Sequence, residues 1–303
     1  MMQIVDAGPE RYDIRSFLTA YSGAVTDFGE SIPPNWIDDR LSAISSGEEF
    51  CIGAVEDDQL SGILSYSYAD RKGYSFACWA DEDVDREGLI LLIREFANRS
   101  PEGMKLRISG LHPNISMELM SAVAQEMGFT TSRRFEMTAV LDESVEAFDA
   151  PSGLTTVPLT KYNEVVLARL DWSAFQGTAD ATLFSENEEE NRKLFKSLLS
   201  GDFGPVLSDA SLCVLRDGEP CALIAVTDMG DAAFVADIAV LPDMKGKGTG
   251  RFLLVNAMKA ARKMRKQRMS LWVSEGNTPA LALYKSLGFG IKRTGVYYMR
   301  ESK

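Results

Sequence analysis

The run from Phe234 to Phe289 constrains this chain more than any other stretch. Phe234-Val235-Ala236-Asp237-Ile238-Ala239-Val240-Leu241 is apolar at nearly every position and closed by Pro242, the pattern of a buried strand. It leads into the turn Lys245-Gly246-Lys247-Gly248-Thr249-Gly250, after which Phe252, Leu253, Val255, Met258 and Ala261 recur at helical spacing. Strand, glycine turn and helix in that order set the free N–H groups of a helix start, and the positive end of its dipole, beside a loop whose glycines let an anion come close. Two phosphate cradles of this plan are excluded by their spacing. A P-loop needs a lysine followed by Ser or Thr after its glycines, and a Rossmann turn needs a third small residue where Arg251 stands.

A second strand, Met269-Ser270-Leu271-Trp272-Val273, follows, and then Asn277-Thr278-Pro279-Ala280-Leu281-Ala282-Leu283-Tyr284-Lys285-Ser286-Leu287-Gly288-Phe289. Here Thr278 suits a helix cap, Pro279 the first helical position and Gly288 the left-handed residue past the end. Ala280, Leu283 and Leu287 are expected to face the core, with Tyr284 beside them. Turn and helix together resemble the GNAT (Gcn5-related N-acetyltransferase) superfamily. Lys245, Gly248 and Gly250 stand on R/Q-x-x-G-x-G/A, with lysine in place of the usual Arg or Gln, and Asn277, Ala280, Tyr284, Gly288 and Phe289 fit N-x-x-A-x-x-x-Y-x-x-x-G-F.

The resemblance implies acetyl-CoA (coenzyme A) as cofactor. It implies that the backbone of Ile238, Ala239 and Val240 pairs with the pantetheine arm, an N–H near Val240 facing the carbonyl oxygen. Lys245, Gly246, Lys247, Gly248, Thr249, Gly250 and Arg251 would then meet the phosphates. Asn277, Ala280 and Tyr284 would line the same site, Tyr284 as general acid for the departing thiolate.

A chain of 303 residues, 45% hydrophobic and 25% charged, suits two well-cored domains of roughly 150 residues. No run approaches the roughly 18 apolar residues of a membrane span, and Met1 to Arg15 lacks an apolar signal core, so a cytoplasmic protein with no membrane partner is expected. Cys51, Cys78, Cys213 and Cys221 lack zinc-like spacing; Cys213 and Cys221 flank the turn Asp217-Gly218 and read as reduced core thiols. No metal is expected. A net charge of −12 argues against nucleic-acid binding. The nine basic residues between Met244 and Ser274, with no acid among them, leave −21 for the rest of the chain. Some of them suit a solvated helix face, and others are placed to meet CoA phosphates.

The two halves repeat. Phe50-Cys51-Ile52 stands 162 positions before Leu212-Cys213-Val214, Gly88, Leu91 and Leu92 stand 162 before Gly250, Leu253 and Leu254, and Gly128-Phe129 stands 160 before Gly288-Phe289. The expected fold class is therefore α/β in the α+β mixed-sheet sense: two GNAT-like domains, each a central, mostly antiparallel twisted sheet flanked by helices. The divisions are residues 1–146, degenerate and non-catalytic, and 152–303, catalytic, with Glu143 to Gly153 as connector. Where the second copy has the glycine turn, the first has Asp83-Val84-Asp85-Arg86-Glu87-Gly88 preceded by Asp81 and Glu82, and Ala124 matches Tyr284. A carboxylate about 4 Å from a phosphate costs roughly 1 kcal/mol in water and about 4 near a protein surface. A helix N-terminus returns only about 0.3–2 kcal/mol, so one cofactor site per chain is expected.

Acyl transfer to an amine requires a neutral amine, and drawing a proton from an ammonium of pKa near 10.4 at pH 7 costs about 4.6 kcal/mol. Asp237 and Glu275 are the candidate bases. Asp171, Trp172 and Phe175 are candidate pocket walls. His112, the only histidine, precedes Pro113-Asn114 and reads as a turn residue. The expectation is an acetyl-CoA-dependent N-acetyltransferase acting by direct attack on a small-molecule or peptide amine, as monomer or homodimer. The alternatives are a non-catalytic acetyl-CoA sensor and a Fem-like aminoacyl transferase.

Overall fold

The computed structural model describes residues 2–27, 32–69, 72–80, 86–108, 115–143, 147–178, 180, 185 and 187–301. His112 and the acidic stretch Asp81 to Asp85 lie outside them. The chain forms two compact units, Met1–Arg133 with Gly295–Lys303, and Arg134–Thr294.

In the first unit the elements run β1 (Gln3–Asp6), α1 (Ile14–Asp27), α2 (Trp36–Ser46), β2 (Phe50–Glu56), β3 (Gln59–Ala69), β4 (Lys72–Ala80), α3 (Arg86–Arg99), β5 (Lys105–Ile108) and α4 (Met117–Glu126). The chain continues with β6 (Thr130–Val140), β7 (Leu154–Pro158), α5 (Glu164–Phe175), α6 (Glu188–Ser200), β8 (Leu212–Arg216), β9 (Glu219–Met229), β10 (Ala232–Val240), α7 (Thr249–Lys263), β11 (Arg268–Ser274) and α8 (Thr278–Ser286) of the second unit, and ends in β12 (Gly290–Glu301). The expected repeat is present element for element. In each unit four antiparallel strands are joined by a parallel pair, β4 with β5 in one and β10 with β11 in the other.

The final strands are exchanged. Sheet order is β1-β2-β3-β4-β5-β12 in the first unit and β6-β11-β10-β9-β8-β7 in the second. Tyr298 of β12 pairs with Ile108 of β5, and Arg268 of β11 pairs with Val140 of β6. The cores agree: Val296 and Tyr298 pack with Leu92, Phe96 and Val123 of the first unit, whereas Met137 and Ala139 pack with Leu253 and Leu271 of the second. The compact units thus divide differently from 1–146 and 152–303, because the chain has already joined the second unit at Arg134, before the connector begins.

In the second unit the sheet is covered on both faces. Along β9 the side chains of Ala222, Ile224 and Val226 join the α7 and α8 layer, while Leu223 and Ala225 join α5 and α6. Burial on both sides accounts for the unbroken apolar run of this strand. Cys213 and Cys221 fall on opposite faces, in different cores, and both are free thiols. Among the described residues no helix is long and apolar enough to cross a membrane.

Candidate active site

The site begins with a defect in β10. Its register against β9 shifts between Val235 and Asp237, a bulge that turns Asp237 to the same side as Ala239, toward α5. Parallel pairing with β11 stops at Val235 and Leu271, after which β10 keeps only β9 and β11 keeps only β6. The two strands therefore fork. Leu241 N–H donates to Cys221 O at 3.0 Å, so by antiparallel alternation the Val240 N–H points the other way, into the fork. The Ile238 N–H faces the same side and is taken by the Asp237 carboxyl.

At the foot of the fork lies the glycine turn. Gly246 and Gly248 take left-handed φ of 76° and 85°, conformations costly for any other residue. A Cβ at Gly248 would stand 3.3 Å from the ring of Phe148. Gly250 serves packing, since a Cβ there would meet Leu283 Cδ2 at 3.4 Å. The first turn of α7 carries no acid and no side-chain cap, and Thr249 Oγ1 is buried without a partner. Donors without acceptors, a glycine hollow and an orphaned hydroxyl fit an anionic group such as the pyrophosphate of CoA. Lys245 does not reach across this turn; its Nζ donates to Ala174 O at 2.8 Å, tying down the end of α5. Arg251 donates to Ser286 Oγ at 2.5 Å and stands 5.8 Å above the Phe148 ring. Lys247 is exposed. In the first unit the corresponding helix α3 has Glu87 in its first turn, and Arg86 is tied to Glu126.

Beyond β11, the cap of α8 is Asn277 rather than Thr278: its side chain accepts from Ala280 N at 3.3 Å. An amide side chain here has a further use, because Asn277 Nδ2 donates to Asp180 Oδ2 at 3.0 Å while the Ser274 hydroxyl donates to Asp180 Oδ1. Gly288 closes the helix with φ 84°. Ala280, Leu283 and Leu287 pack on the core, and Tyr284 is 6% exposed, its ring 5.9 Å from that of Phe289. Burial, then the charges of Asp237 and Asp180, hold the Tyr284 phenol well above its ordinary value against a smaller opposing pull from Arg134. The hydroxyl stays loaded with its proton throughout the neutral range.

Asp237 is not alone. Its carboxyl is in hydrogen-bond contact with that of Asp171 on α5, and burial followed by the Asp171 charge pushes it well above the ordinary carboxylate range. Burial also raises Asp171, against the pull of an amide bond from Asn191 Nδ2 at 2.8 Å. Of the other expected residues, Glu275 is exposed in the turn after β11 and Phe175 packs against the α5–α6 core. Trp172 is half-buried. Asp180, Asn191 and Phe148 are additions the motifs do not announce.

Residues 168–289 match the model of the acetyltransferase (GNAT) family. The chain is 32% identical over 83 residues to an uncharacterised N-acetyltransferase of Methanocaldococcus jannaschii, covering 27% of this chain and 37% of the relative. It is 35% identical over 86 residues to the mycothiol acetyltransferase of Thermobifida fusca (28% and 23%) and 30% identical over 90 residues to a putative ribosomal-protein-bS18-alanine N-acetyltransferase of Bacillus subtilis (29% and 58%). The chain thus spans less than two thirds of each relative's length, from 23% to 58%. In structure it is similar over its whole length to a GCN5-related N-acetyltransferase from Sphaerobacter thermophilus (TM-score 0.65, 14% identity, 96% of that chain). It is also similar to a tandem GNAT protein from the clavulanic acid biosynthesis pathway (TM-score 0.57, 12% identity, 100% of this chain and 99% of that one). Residues 168–289, with the glycine turn and forked strands they contain, match the acetyltransferase (GNAT) family, and the fold of the whole chain is that of GNAT proteins.

Proposed function

We propose that the second unit is an acetyl-CoA-dependent N-acetyltransferase that passes acetyl to an amine by direct attack. The observation that carries this reading is the fork: it leaves the Val240 N–H without a β11 partner on the strand that carries Asp237 and leads into the glycine turn, and the Asp237 charge reaches the Tyr284 phenol. Acetyl-CoA, when bound, supplies a thioester carbon open to an amine. Amides of the turn from Gly246 to Arg251 hold its phosphates, and the β10 edge at Ile238 and Val240 lies along its pantetheine arm. The Val240 N–H is placed for the carbonyl oxygen, a donor fixed by the sheet before any charge develops. Tyr284 Oη holds the proton that the departing sulfur needs. The Asp237 carboxyl takes the proton that the incoming ammonium must lose, and its raised proton affinity makes that transfer less uphill than to an ordinary carboxylate. Glu275, exposed in its turn, has no part in this scheme.

The acceptor is an amine of a small molecule or a peptide. The test is thiol release from acetyl-CoA with a panel of amines. Acceptor-dependent release that disappears in Gly248→Glu supports the assignment. Tight acetyl-CoA binding with no release for any amine in the panel would replace it with a sensing role.

A further inference from the structure

Two buried oxygens beside the fork lack donors, Asp171 Oδ1 and Asp237 Oδ2. They belong to two carboxyls that touch each other. A carboxylate has no hydrogen to offer, so two ionised groups in this contact would repel and leave both oxygens unsatisfied. One proton between them removes both faults. The surroundings fix this pair from the helix side: Asn191, 3% exposed, donates through Nδ2 to Asp171 Oδ2 at 2.8 Å and to Ala168 O at 3.0 Å, and its Oδ1 accepts from the Ser185 hydroxyl at 2.9 Å.

We propose that Asp171 and Asp237 work as one titrating unit that shares a single proton, with Asp171 a positioning residue held by Asn191 and Asp237 the member that meets the acceptor amine. The proposal deepens the acetyltransferase reading and rests on it for the amine. In the step, the doubly ionised pair takes one proton from R–NH3⁺ and keeps it between the two carboxyls; the pair passes from −2 to −1 and the acceptor becomes neutral R–NH2. The proton goes to water between turnovers. Each pH unit by which a base is strengthened makes this transfer about tenfold more favourable. The Tyr284 phenol on α8 is near enough to feel the charges of Asp237, Asp180 and Arg134; β9 pairs Ile224 and Ala225 with this part of β10.

Infrared spectroscopy of the full chain without cofactor tests the pair directly. The component of the protonated-carboxyl band that survives above the ordinary carboxylate range is expected to be lost in Asp237→Asn and to titrate at lower pH in Asp171→Asn. It should persist in Glu49→Gln, which removes the other buried carboxyl with a raised proton affinity. If the aspartate variants fail to fold, Asn191→Ala reports instead, because loss of a donor to the ionised form should move the band's titration upward by about half a pH unit or more. A band unaltered in Asp171→Asn, or an unmoved titration in Asn191→Ala, overturns the shared proton. These outcomes hold whether or not any amine is acetylated. With an acceptor in hand, Asp171→Asn should shift the acid limb of kcat/KM by at least about one pH unit toward acid and lower the plateau about tenfold. An unmoved limb overturns the positioning role.

Discussion

Ala124 and Tyr284 occupy the same place in their two helices. The carbonyl of each accepts the amide of the phenylalanine just before the next strand, Phe129 at 2.8 Å and Phe289 at 3.1 Å, and a left-handed glycine follows each helix. The repeat thus holds in hydrogen bonds, and the difference between a methyl and a phenol is a difference between equivalent positions. We expect one acetyl-CoA per chain. Calorimetric titration of the intact protein should give a stoichiometry of one, and Gly248→Glu should reduce it to zero by filling the cradle and adding charge. A residual site in that variant would place a second cradle in the first unit.

Tyr284→Phe should leave acetyl-CoA affinity nearly unchanged and lower kcat by about 10² to 10⁴, the usual worth of a positioned acid. Fold stability should change little, since the aromatic packing against Phe289 is retained. A loss below about threefold with a good acceptor would make Tyr284 a packing residue.

Tyr298 tests the exchanged strands. It is 1% exposed, packed with Phe96 and Val123, and its hydroxyl lies 3.1 Å from that of Ser121. Tyr298→Ala should cost about 3 to 5 kcal/mol by leaving a cavity. Hydrogen exchange should show the loss in α3, α4 and β5, far earlier in sequence, while α7 and β11 keep their protection. Equal loss across both units would mean that they unfold as one.

Stability should depend on pH in a particular sense. Asp171, Asp237 and Glu49 all have folded proton affinities raised above the unfolded value, chiefly by burial. Above the ordinary carboxylate value of about 4 the unfolded chain releases these protons while the folded chain keeps them, so folding binds protons and stability falls as pH rises. The fall continues until the folded groups themselves titrate. Melting temperature should therefore decline from pH 5 toward pH 8 in the wild type and decline less in Asp237→Asn. An identical slope in the two proteins would remove Asp237 from this account.

The sequence made local features legible and left pairings between distant elements obscure. Gly246 and Gly248 announce their backbone, and Gly288 its helix end, because each requirement is satisfied within a few residues. The exchange of β6 and β12 left no such trace: both strands follow a helix and a Gly-Phe pair, so either could complete either sheet by local criteria alone. Asp171 and Asp237 were both readable as candidates, one as wall and one as base. What joined them was a one-residue bulge that put Asp237 on the α5 face, and bulges are settled by packing across the sheet. Asp180 is a similar case, since its partners Ser274 and Asn277 follow it only after six further elements. Glu275, adjacent to both in sequence, was the more visible acid and points to solvent.

The exchange of strands also sets an order of events during synthesis. The first unit needs Gly295 to Glu301 for the edge of its sheet, and those residues leave the ribosome after every other part of both units has been made. The second unit has all its strands once residue 294 has emerged. The half that is translated first is therefore the half that finishes folding last, and until then β5 offers an open edge to whatever strand comes near.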